Sequence, residues 1–432
     1  MSWSLSTPLV LAALVASPAL AQRNVVSSLP DAPALTLERA LALAEQFNPE
    51  LSAARSEIAA VAGARLQAGT RPNPTLGVEV EDLRQRTRTN TVLLSQPIEL
   101  GGKRAARIAA AERGQDIAAA QLATRRIDVR AAVTAAYFDA LVAAERVRLA
   151  EASLQLASRA RDAATRRVAA GKVSPIEETR SRVAETGVRL ELVQARSELK
   201  TALQNLRSAI GSQTVVVNRL AASPDVLPAA PIERSLEQRI LDAPALREAR
   251  LEIERQIALV ALEQAQSAPD LTVGVGARRG RDELSGSYTQ AVVTLSIPLP
   301  VFDTNRGNVV QALRRADKAR DEALAVEQRL RADAHAAQQR LSTAREEAIA
   351  LKTEVLPGAQ DAFDATTKGF TLGKFSFLEA LDAQRTLLAA RAQYLRALAE
   401  THRAAAELER LLGTPAGVAP GLTNEFIKER LP

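Results

Sequence analysis

The stretch "GKFSFLEALDAQR" occupies residues 373–385 and lies between two long segments rich in Ala and Leu. A related stretch, "GKVSPIEETRSR", begins at residue 171, so the two Gly-Lys pairs are 202 positions apart. Because Gly tolerates the left-handed conformation that ends many helices, each Gly-Lys pair indicates a turn between two helices. We therefore predict that the chain builds the same helical hairpin turn twice.

The similarity extends beyond the two turns and indicates a tandem duplication. "NPELSAARSEI" at 48–58 resembles "APALREARLEI" at 243–253, and Gly211 and Gly413 are again 202 positions apart. We therefore predict one structural unit that occurs twice. The predicted segments are a signal peptide at 1–21, a first repeat at 22–211, a linker at 212–235, a second repeat at 236–413 and a C-terminal tail at 414–432.

The first 21 residues have most features of a secretory signal peptide. They contain no charged residue, and the apolar run Leu9–Val15 is too short to span a bilayer as a helix. Ala19-Leu20-Ala21 fits an A-x-A cleavage site, although the basic residue usual before the apolar run is missing. We expect an exported protein.

The composition favours packed arrays of long helices. Hydrophobic residues make up 47% of the chain but aromatic residues only 3%, and Ala, Leu, Arg and Glu dominate. The absence of Cys excludes disulfides, thiolate metal sites and a Cys nucleophile. Net charge is +6, but acidic and basic residues alternate along the helical segments. We therefore expect solvated helix faces and no nucleic-acid partner.

Each repeat contains two short segments with the period-two alternation of β-strands. In "TLGVEVE", Leu76, Val78 and Val80 fall on one face, and small or polar residues fall on the other. Such two-faced segments of about ten residues are typical of membrane β-strands, but a half-buried soluble sheet has the same pattern. The predicted strands are 71–81, 90–100, 269–279 and 288–299.

Helical patterns surround the strands. We predict a first helix at roughly 36–69 and long helical hairpins at 103–210 and 305–412, each opening with an uninterrupted helix about 100 Å long. In the returning helices apolar residues recur every seven positions, for example at Leu192 and Leu199, which indicates left-handed coiled-coil packing. Four membrane strands cannot close a barrel, and lipid does not tolerate an open sheet edge. If the strands span a membrane, several chains must therefore share one barrel.

This organisation resembles the TolC family of outer-membrane efflux ducts over nearly the whole mature chain. "LTLERALALAEQFNPEL" at 35–51 is similar to the family's opening helix, and "FTLGKFSFLEALDAQRTLLAARAQYL" at 370–395 is similar to its C-terminal repeat. "RPNPTLGVEVE", from residue 71, and "SQPIELGGKR", from residue 95, resemble the heavy-metal branch of the family, the cobalt–zinc–cadmium type.

The resemblance implies a mainly α-helical homotrimer with a transmembrane β-barrel of twelve strands above a periplasmic tunnel of twelve helices. Residues 212–235 and 414–432 would form an equatorial belt. The implied function is a passive exit duct that carries heavy-metal cations across the outer membrane, with a periplasmic adaptor and an inner-membrane pump of the resistance–nodulation–division class as partners. A duct for drugs or secreted polypeptides is an alternative within the family. A coiled-coil scaffold outside the membrane is the alternative from another class.

By the same resemblance, the hairpin tips dock the adaptor and narrow the tunnel. The constriction would be lined by Glu177, Glu379 and Asp382, whose mutual repulsion would raise their pKa values and make opening sensitive to pH. Arg180 stands where a second acid of the first repeat would be, and Phe375 replaces the family's basic residue near the second tip. Ordinary solvated carboxylates are the alternative interpretation. The predicted docking residues are Gly171, Lys172, Val173, Ser174, Gly373, Lys374, Phe375 and Ser376.

The remaining motifs predict no enzyme, no cofactor and no metal site in the chain. Neither Gly-Lys motif has the spacing of a phosphate-binding loop. His335 and His402 lack partners at ligand spacing, so we expect surface or packed helix residues. The connections at 81–90 and 278–288 are basic and polar; in a barrel they would face outside the cell, where Arg would meet lipopolysaccharide phosphates or remain solvated.

Overall fold

The computed structural model describes residues 34–82, 87–212, 219–221, 227–228, 233–282, 286–372 and 374–413. The predicted signal peptide, the C-terminal tail, Gly373 and most of the predicted linker lie outside the described residues. The described part is mainly helical and contains one four-stranded sheet.

The first half of the chain has a helix pair, a strand pair and a long helical hairpin. Its elements are α1 (Leu37–Phe47), α2 (Pro49–Ala68), β1 (Thr75–Glu81), β2 (Thr89–Ile98), α3 (Lys103–Ala169) and α4 (Pro175–Ile210). The predicted single helix at 36–69 is wrong because Asn48 is extended and ends α1. The Asn48 side chain then caps α2 by accepting hydrogen bonds from the backbone N–H groups of Glu50 and Leu51.

The second half repeats this order with one interruption. Its elements are α5 (Glu233–Leu241), α6 (Pro244–Gln266), β3 (Leu271–Asp282), β4 (Gly286–Ser296), α7 (Arg306–Ala350), a π-helical turn (Leu351–Val355), α8 (Leu356–Thr371) and α9 (Phe377–Leu412). The prediction of an uninterrupted helix after Arg306 is wrong at the π-helical turn. Pro357 causes the interruption because its ring nitrogen has no hydrogen to donate to the preceding turn.

Proline also sets the strand boundaries. β1 begins at Thr75 rather than at residue 71, since Pro72 and Pro74 cannot donate to a strand ladder. At the other edge, β4 ends at Ser296, shortly before Pro298. Both differences shorten the predicted strands on the side where they lead into the helices.

The sheet is antiparallel throughout, in the order β1-β2-β3-β4. The pairing of β2 with β3 joins the two halves of the chain; Leu94, for example, lies opposite Val275. Large apolar side chains on one face are strongly exposed, from Leu76 on β1 (69%) to Val293 on β4 (75%). Such a face matches a lipid environment better than water. Within one protomer β1 and β4 are edge strands.

Charged contacts join the sheet to the helices. Asp270 accepts hydrogen bonds from the Leu100 backbone N–H (3.3 Å) and from the Lys103 ammonium (2.7 Å). Nearby, Arg107 on α3 forms a bidentate ion pair with Glu99. Since Asp270 precedes β3 and Lys103 opens α3, these contacts fix the first turn of the longest helix to the base of the sheet.

The hydrophobic core lies midway along the helices and contains many Ala residues. Tyr137 of α3 is fully buried there, and its hydroxyl donates to the Leu35 carbonyl at 3.0 Å. Leu35 forms a parallel β-bridge with Leu220 of the predicted linker. None of the described helices is long and apolar enough to cross a membrane.

The end of α4 generates a stability prediction. Gly211 has a φ of 82°, and a Cβ there would lie 2.6 Å from the Asn48 Cα. Gly211→Ala should therefore destabilise the protein by about 1–3 kcal/mol, measured as a lower thermal midpoint by circular dichroism. The control is Gly63→Ala in α2, where a Cβ meets nothing within 4 Å; this change should stabilise by about 0.5–1 kcal/mol. Equal changes in the thermal midpoint for Gly211→Ala and Gly63→Ala would contradict the steric role of Gly211.

Candidate functional site

The first hairpin tip is closed by backbone hydrogen bonds at the end of α3. The Gly171 N–H donates to the Val168 carbonyl and the Lys172 N–H donates to the Arg167 carbonyl, both at 2.9 Å. Gly171 has a φ of 67°, so these bonds form a Schellman motif. Ser174 then caps α4, which begins with Pro175. Helix end, turn and helix start therefore fit within five residues, with Val173 at the centre.

The second tip uses a similar closure and a stronger cap. The Lys374 N–H donates to the Gly369 carbonyl at 2.8 Å, and Gly373 lies outside the described residues. Ser376 and Glu379 form a capping box at the start of α9. The Ser376 backbone N–H donates to Glu379 Oε2 at 2.6 Å, and the Glu379 N–H donates back to Ser376 Oγ at 3.3 Å.

The capping box determines the charge state of Glu379 within one protomer. The hydrogen bond from the Ser376 backbone N–H, followed by that from its hydroxyl, holds the pKa of the Glu379 carboxyl below its ordinary value of 4.5. This direction is opposite to the one that repulsion between neighbouring carboxylates would produce. Within the protomer, Glu379 is therefore an ionised capping group.

The other two predicted constriction residues have no comparable restraint. Asp382 lies one turn after Glu379 on α9, and its side chain is exposed. Glu177 is half-buried in the first turn of α4, and its backbone N–H donates to the Ser174 carbonyl. Glu177 is on α4 and Asp382 is on α9, and no hydrogen bond joins their side chains within the described part of one protomer.

The two tips contact each other through α3 and α8. The Arg167 guanidinium lies 4.5 Å from the centre of the Phe370 ring, a cation–π distance. The Phe375 ring covers Gly369 so closely that a Cβ on Gly369 would lie 2.0 Å from Phe375 Cδ2. Where the family carries a basic residue, Phe375 therefore supports its own hairpin turn by packing.

Above the first tip, a buried carboxylate holds the two helices of the hairpin together. Glu185 of α4 is only 5% exposed and accepts from Arg161 Nη1 of α3 at 2.7 Å and from Arg189 Nη2 at 3.1 Å. Removing either basic partner would weaken the compensation of a buried charge, which is a costly change. The predictions from the sequence do not include this cluster.

A sequence signal for it nevertheless exists. Arg161 and Glu185 are each 12 positions from Val173, the centre of the turn. The ion pair of Glu151 with Arg196, at 2.8 Å, is also nearly symmetric about the turn. Opposite charges at equal distances from a hairpin turn therefore predict cross-helix ion pairs. The Ser-x-x-Glu pattern at 376–379 similarly predicts the capping box.

The histidines occupy structural positions. His335 is exposed, and its Nε2 lies 3.2 Å from Glu237 Oε1. His402 is buried, and its ring stacks on Phe138 with centroids 3.5 Å apart. Within the described part of the chain, no group of three or more His, Asp or Glu side chains is arranged to hold a metal ion.

The sequence of the chain matches a known protein family. The sequence model of outer membrane efflux proteins matches residues 40–212 and 236–414, which together make up most of the chain. The chain belongs to the outer membrane efflux protein family. The predicted family and the predicted location in the outer membrane are therefore confirmed.

Two metal-resistance proteins resemble the chain along much of its length. The cobalt-zinc-cadmium resistance protein CzcC of Cupriavidus metallidurans is 45% identical over 379 residues, covering 88% of this chain and 90% of CzcC. The nickel and cobalt resistance protein CnrC of the same organism is 30% identical over 294 residues, covering 66% of this chain and 67% of CnrC.

Solved structures agree with the fold of this outer membrane efflux protein. The crystal structure of CusC, from work on its folding and transmembrane channel formation, aligns with a TM-score of 0.73 at 17% identity. The alignment covers 88% of this chain and 92% of CusC. The predicted fold class, mainly helical and TolC-like with four strands per chain, is confirmed.

The capping box generates a pH prediction. Because the pKa of Glu379 is lowered, its stabilisation of the α9 start should be complete above about pH 4.5 and should disappear as the pH falls further. Hydrogen exchange of residues 374–382 should show the wild type better protected than Glu379→Gln at neutral pH and equal to it in acid. Glu400→Gln, in the middle of α9, serves as control. Loss of the protection well above pH 4.5 would show that repulsion raises the pKa instead.

Proposed function

We propose that the protein is a passive exit duct for heavy-metal cations, which pass through it from the periplasm to the outside of the cell. The 45% identity to a cobalt-zinc-cadmium resistance protein, over 88% of this chain, carries the proposal. The proposed duct performs no chemistry on its cargo, and the energy for export comes from a partner.

The working form in this proposal is a homotrimer. A four-stranded sheet in lipid leaves the outer backbone groups of β1 and β4 without partners, and each unpaired group costs several kcal/mol. Pairing β4 of one protomer with β1 of the next removes both edges. Three copies would give a closed barrel of twelve strands.

The exposed face of α4 independently supports the trimer. Ile176, Val183 and Leu190 recur every seven residues and are 55%, 67% and 65% exposed in the protomer. An apolar heptad stripe on a helix is the usual signature of a coiled-coil contact. The helical hairpin of a neighbouring copy would cover this stripe, so the strands and the helices close the same ring.

The proposed partners are a periplasmic adaptor and an inner-membrane pump of the resistance–nodulation–division class. Six hairpin tips of a trimer would present the residues that we predict to dock the adaptor. Lys172 and Lys374 are exposed at equivalent positions of the two tips, which supports a repeated binding surface. In this arrangement each structural repeat, 22–211 and 236–413, contributes one docking position.

Glu177, Glu379 and Asp382 are proposed to line the narrow end of the duct. Threefold rings of carboxylates in a narrow bore would concentrate cations and repel anions. Asp382 is the strongest candidate because its exposed side chain forms no hydrogen bond or ion pair with another described residue. Glu379 would contribute charge while it caps its own helix.

The cargo can be tested by growth. A strain deleted for the gene should lose resistance to some of the salts of Zn, Cd, Co, Ni, Cu and Ag, and the intact gene should restore it. A panel of drugs and detergents serves as the control. Sensitivity to drugs alone would support the alternative duct for drugs and overturn the metal assignment.

The constriction can be tested electrically. In planar bilayers Asp382→Asn should lower the cation-to-anion permeability ratio severalfold, because three negative charges leave the narrow bore. The readout is the reversal potential across a salt gradient. Asp321→Asn on α7 removes the same charge far from the tips and should leave the ratio unchanged. An unchanged ratio in Asp382→Asn would contradict the assignment.

A further inference from the structure

Three arginines form a patch at the hairpin end of the sheet. Arg88, which directly precedes β2, lies opposite Arg281 of β3, since the Arg281 N–H donates to the Arg88 carbonyl at 3.3 Å. One step toward the helices, Asn90 lies opposite Arg279. Arg88 Nε donates to Asn90 Oδ1 at 3.2 Å, so the side chains of Arg88 and Asn90 share a face.

This face is the apolar one. Along β3, Val275, Ala277, Arg279 and Arg281 are all exposed, and the residues between them are buried or half-buried. The same rows on β4 carry Thr289 opposite Arg279 and Ser287 opposite Arg281. The apolar band therefore ends in arginines and hydroxyl groups, at the end of the sheet farthest from the helices.

Among the residues that the structure describes, no carboxylate compensates the charges of this arginine patch. None of the three guanidinium groups forms an ion pair with any residue that the structure describes. The nearby carboxylate of Asp82, at the end of β1, accepts a hydrogen bond from the Thr87 hydroxyl. Like charges directly opposite each other on paired strands are destabilising. An external anion would remove this cost.

Arg278 shows the contrast on the other face of the same strand. Its guanidinium donates to the Thr91 hydroxyl at 3.2 Å and lies 3.9 Å from Glu81. Among the described residues, the arginine that faces the other side of the strand therefore has an acidic partner, and the two that share the apolar face have none. A structural role within the sheet accounts for Arg278 but not for Arg279 and Arg281.

We propose that Arg88, Arg279 and Arg281 bind the phosphate groups of lipopolysaccharide in the outer leaflet of the membrane. Guanidinium groups form charge-assisted, bidentate hydrogen bonds to phosphate, and Ser287 and Thr289 add hydroxyl donors. The acyl chains of the same lipid would cover the apolar band below. The inference rests on the proposed trimeric duct in one respect: the hairpin end of the sheet faces outside.

The test uses the purified full-length trimer, titrated with lipid A by native mass spectrometry. Wild type should bind bis-phosphorylated lipid A more tightly than dephosphorylated lipid A. The triple change Arg88→Gln, Arg279→Gln and Arg281→Gln should weaken binding of the phosphorylated form about tenfold or more. The triple change to Lys at the same positions should bind more tightly than the Gln variant and less tightly than wild type, because the charge remains but the bidentate geometry is lost.

A matched control removes three exposed positive charges from α7 by Arg314→Gln, Arg315→Gln and Arg329→Gln, and it should bind lipid A like wild type. Equal binding of the two forms of lipid A by wild type would overturn the proposal, even if the Gln variant did not assemble. Binding of inorganic phosphate as tight as that of lipid A would overturn the lipid assignment. Failure of the metal growth test would leave these binding results unchanged, and a protein that formed no trimer would be recognised before the titration.

Discussion

The structure depends on the pairing of backbone groups along β1 and β4. In hydrocarbon an unpaired N–H or C=O group has no water to bind, so both sheet edges of a protomer need another strand. The part of the chain that the structure describes has four strands, and within one protomer β1 and β4 have no further strand beside them. In the proposed duct, assembly is therefore a condition of membrane insertion, and the symmetry of the helical part would follow that of the sheet. The ion pair of Asp270 with Lys103, the first residue of α3, connects the sheet to the helices and would carry this symmetry into them.

The helical part solves a different problem, the packing of very long rods with few large side chains. Ala at most core positions allows close approach of the helices, and specificity then comes from a few larger or polar groups. Tyr137 fixes the middle of α3 against Leu35, which lies just before α1, and Glu185 fixes the register of the first hairpin. The tips also depend on a few specific contacts. Backbone hydrogen bonds close both turns, and the ring of Phe375 packs on Gly369 at the second turn.

Repetition made much of this fold predictable. Two turns separated by 202 positions, two strand pairs and a shared heptad define the elements, since periodicity reports which face is buried. The errors are local. Asn48 and Pro357 break helices through capping and a missing N–H, effects that a hydrophobic pattern does not record. At the candidate site, the family resemblance predicts that Glu177, Glu379 and Asp382 line the constriction, and this role stays a prediction. The sequence does not predict that the pKa of Glu379 is lowered within the protomer, because that shift depends on side-chain geometry at Ser376.

The π-helical turn at Leu351–Val355 makes the duplicated halves mechanically unequal. In the first half α3 is one continuous helix of 67 residues that runs from the sheet to the first hairpin tip. In the second half the corresponding long helix consists of α7 and α8, and the π-helical turn between them, just before Pro357, interrupts the regular hydrogen bonds. In each protomer we therefore expect bending mainly in the long helix formed by α7 and α8. In a ring of three copies, continuous α3 helices would alternate with long helices that the π-helical turn interrupts. A force applied to the hairpin tips would therefore bend every second long helix.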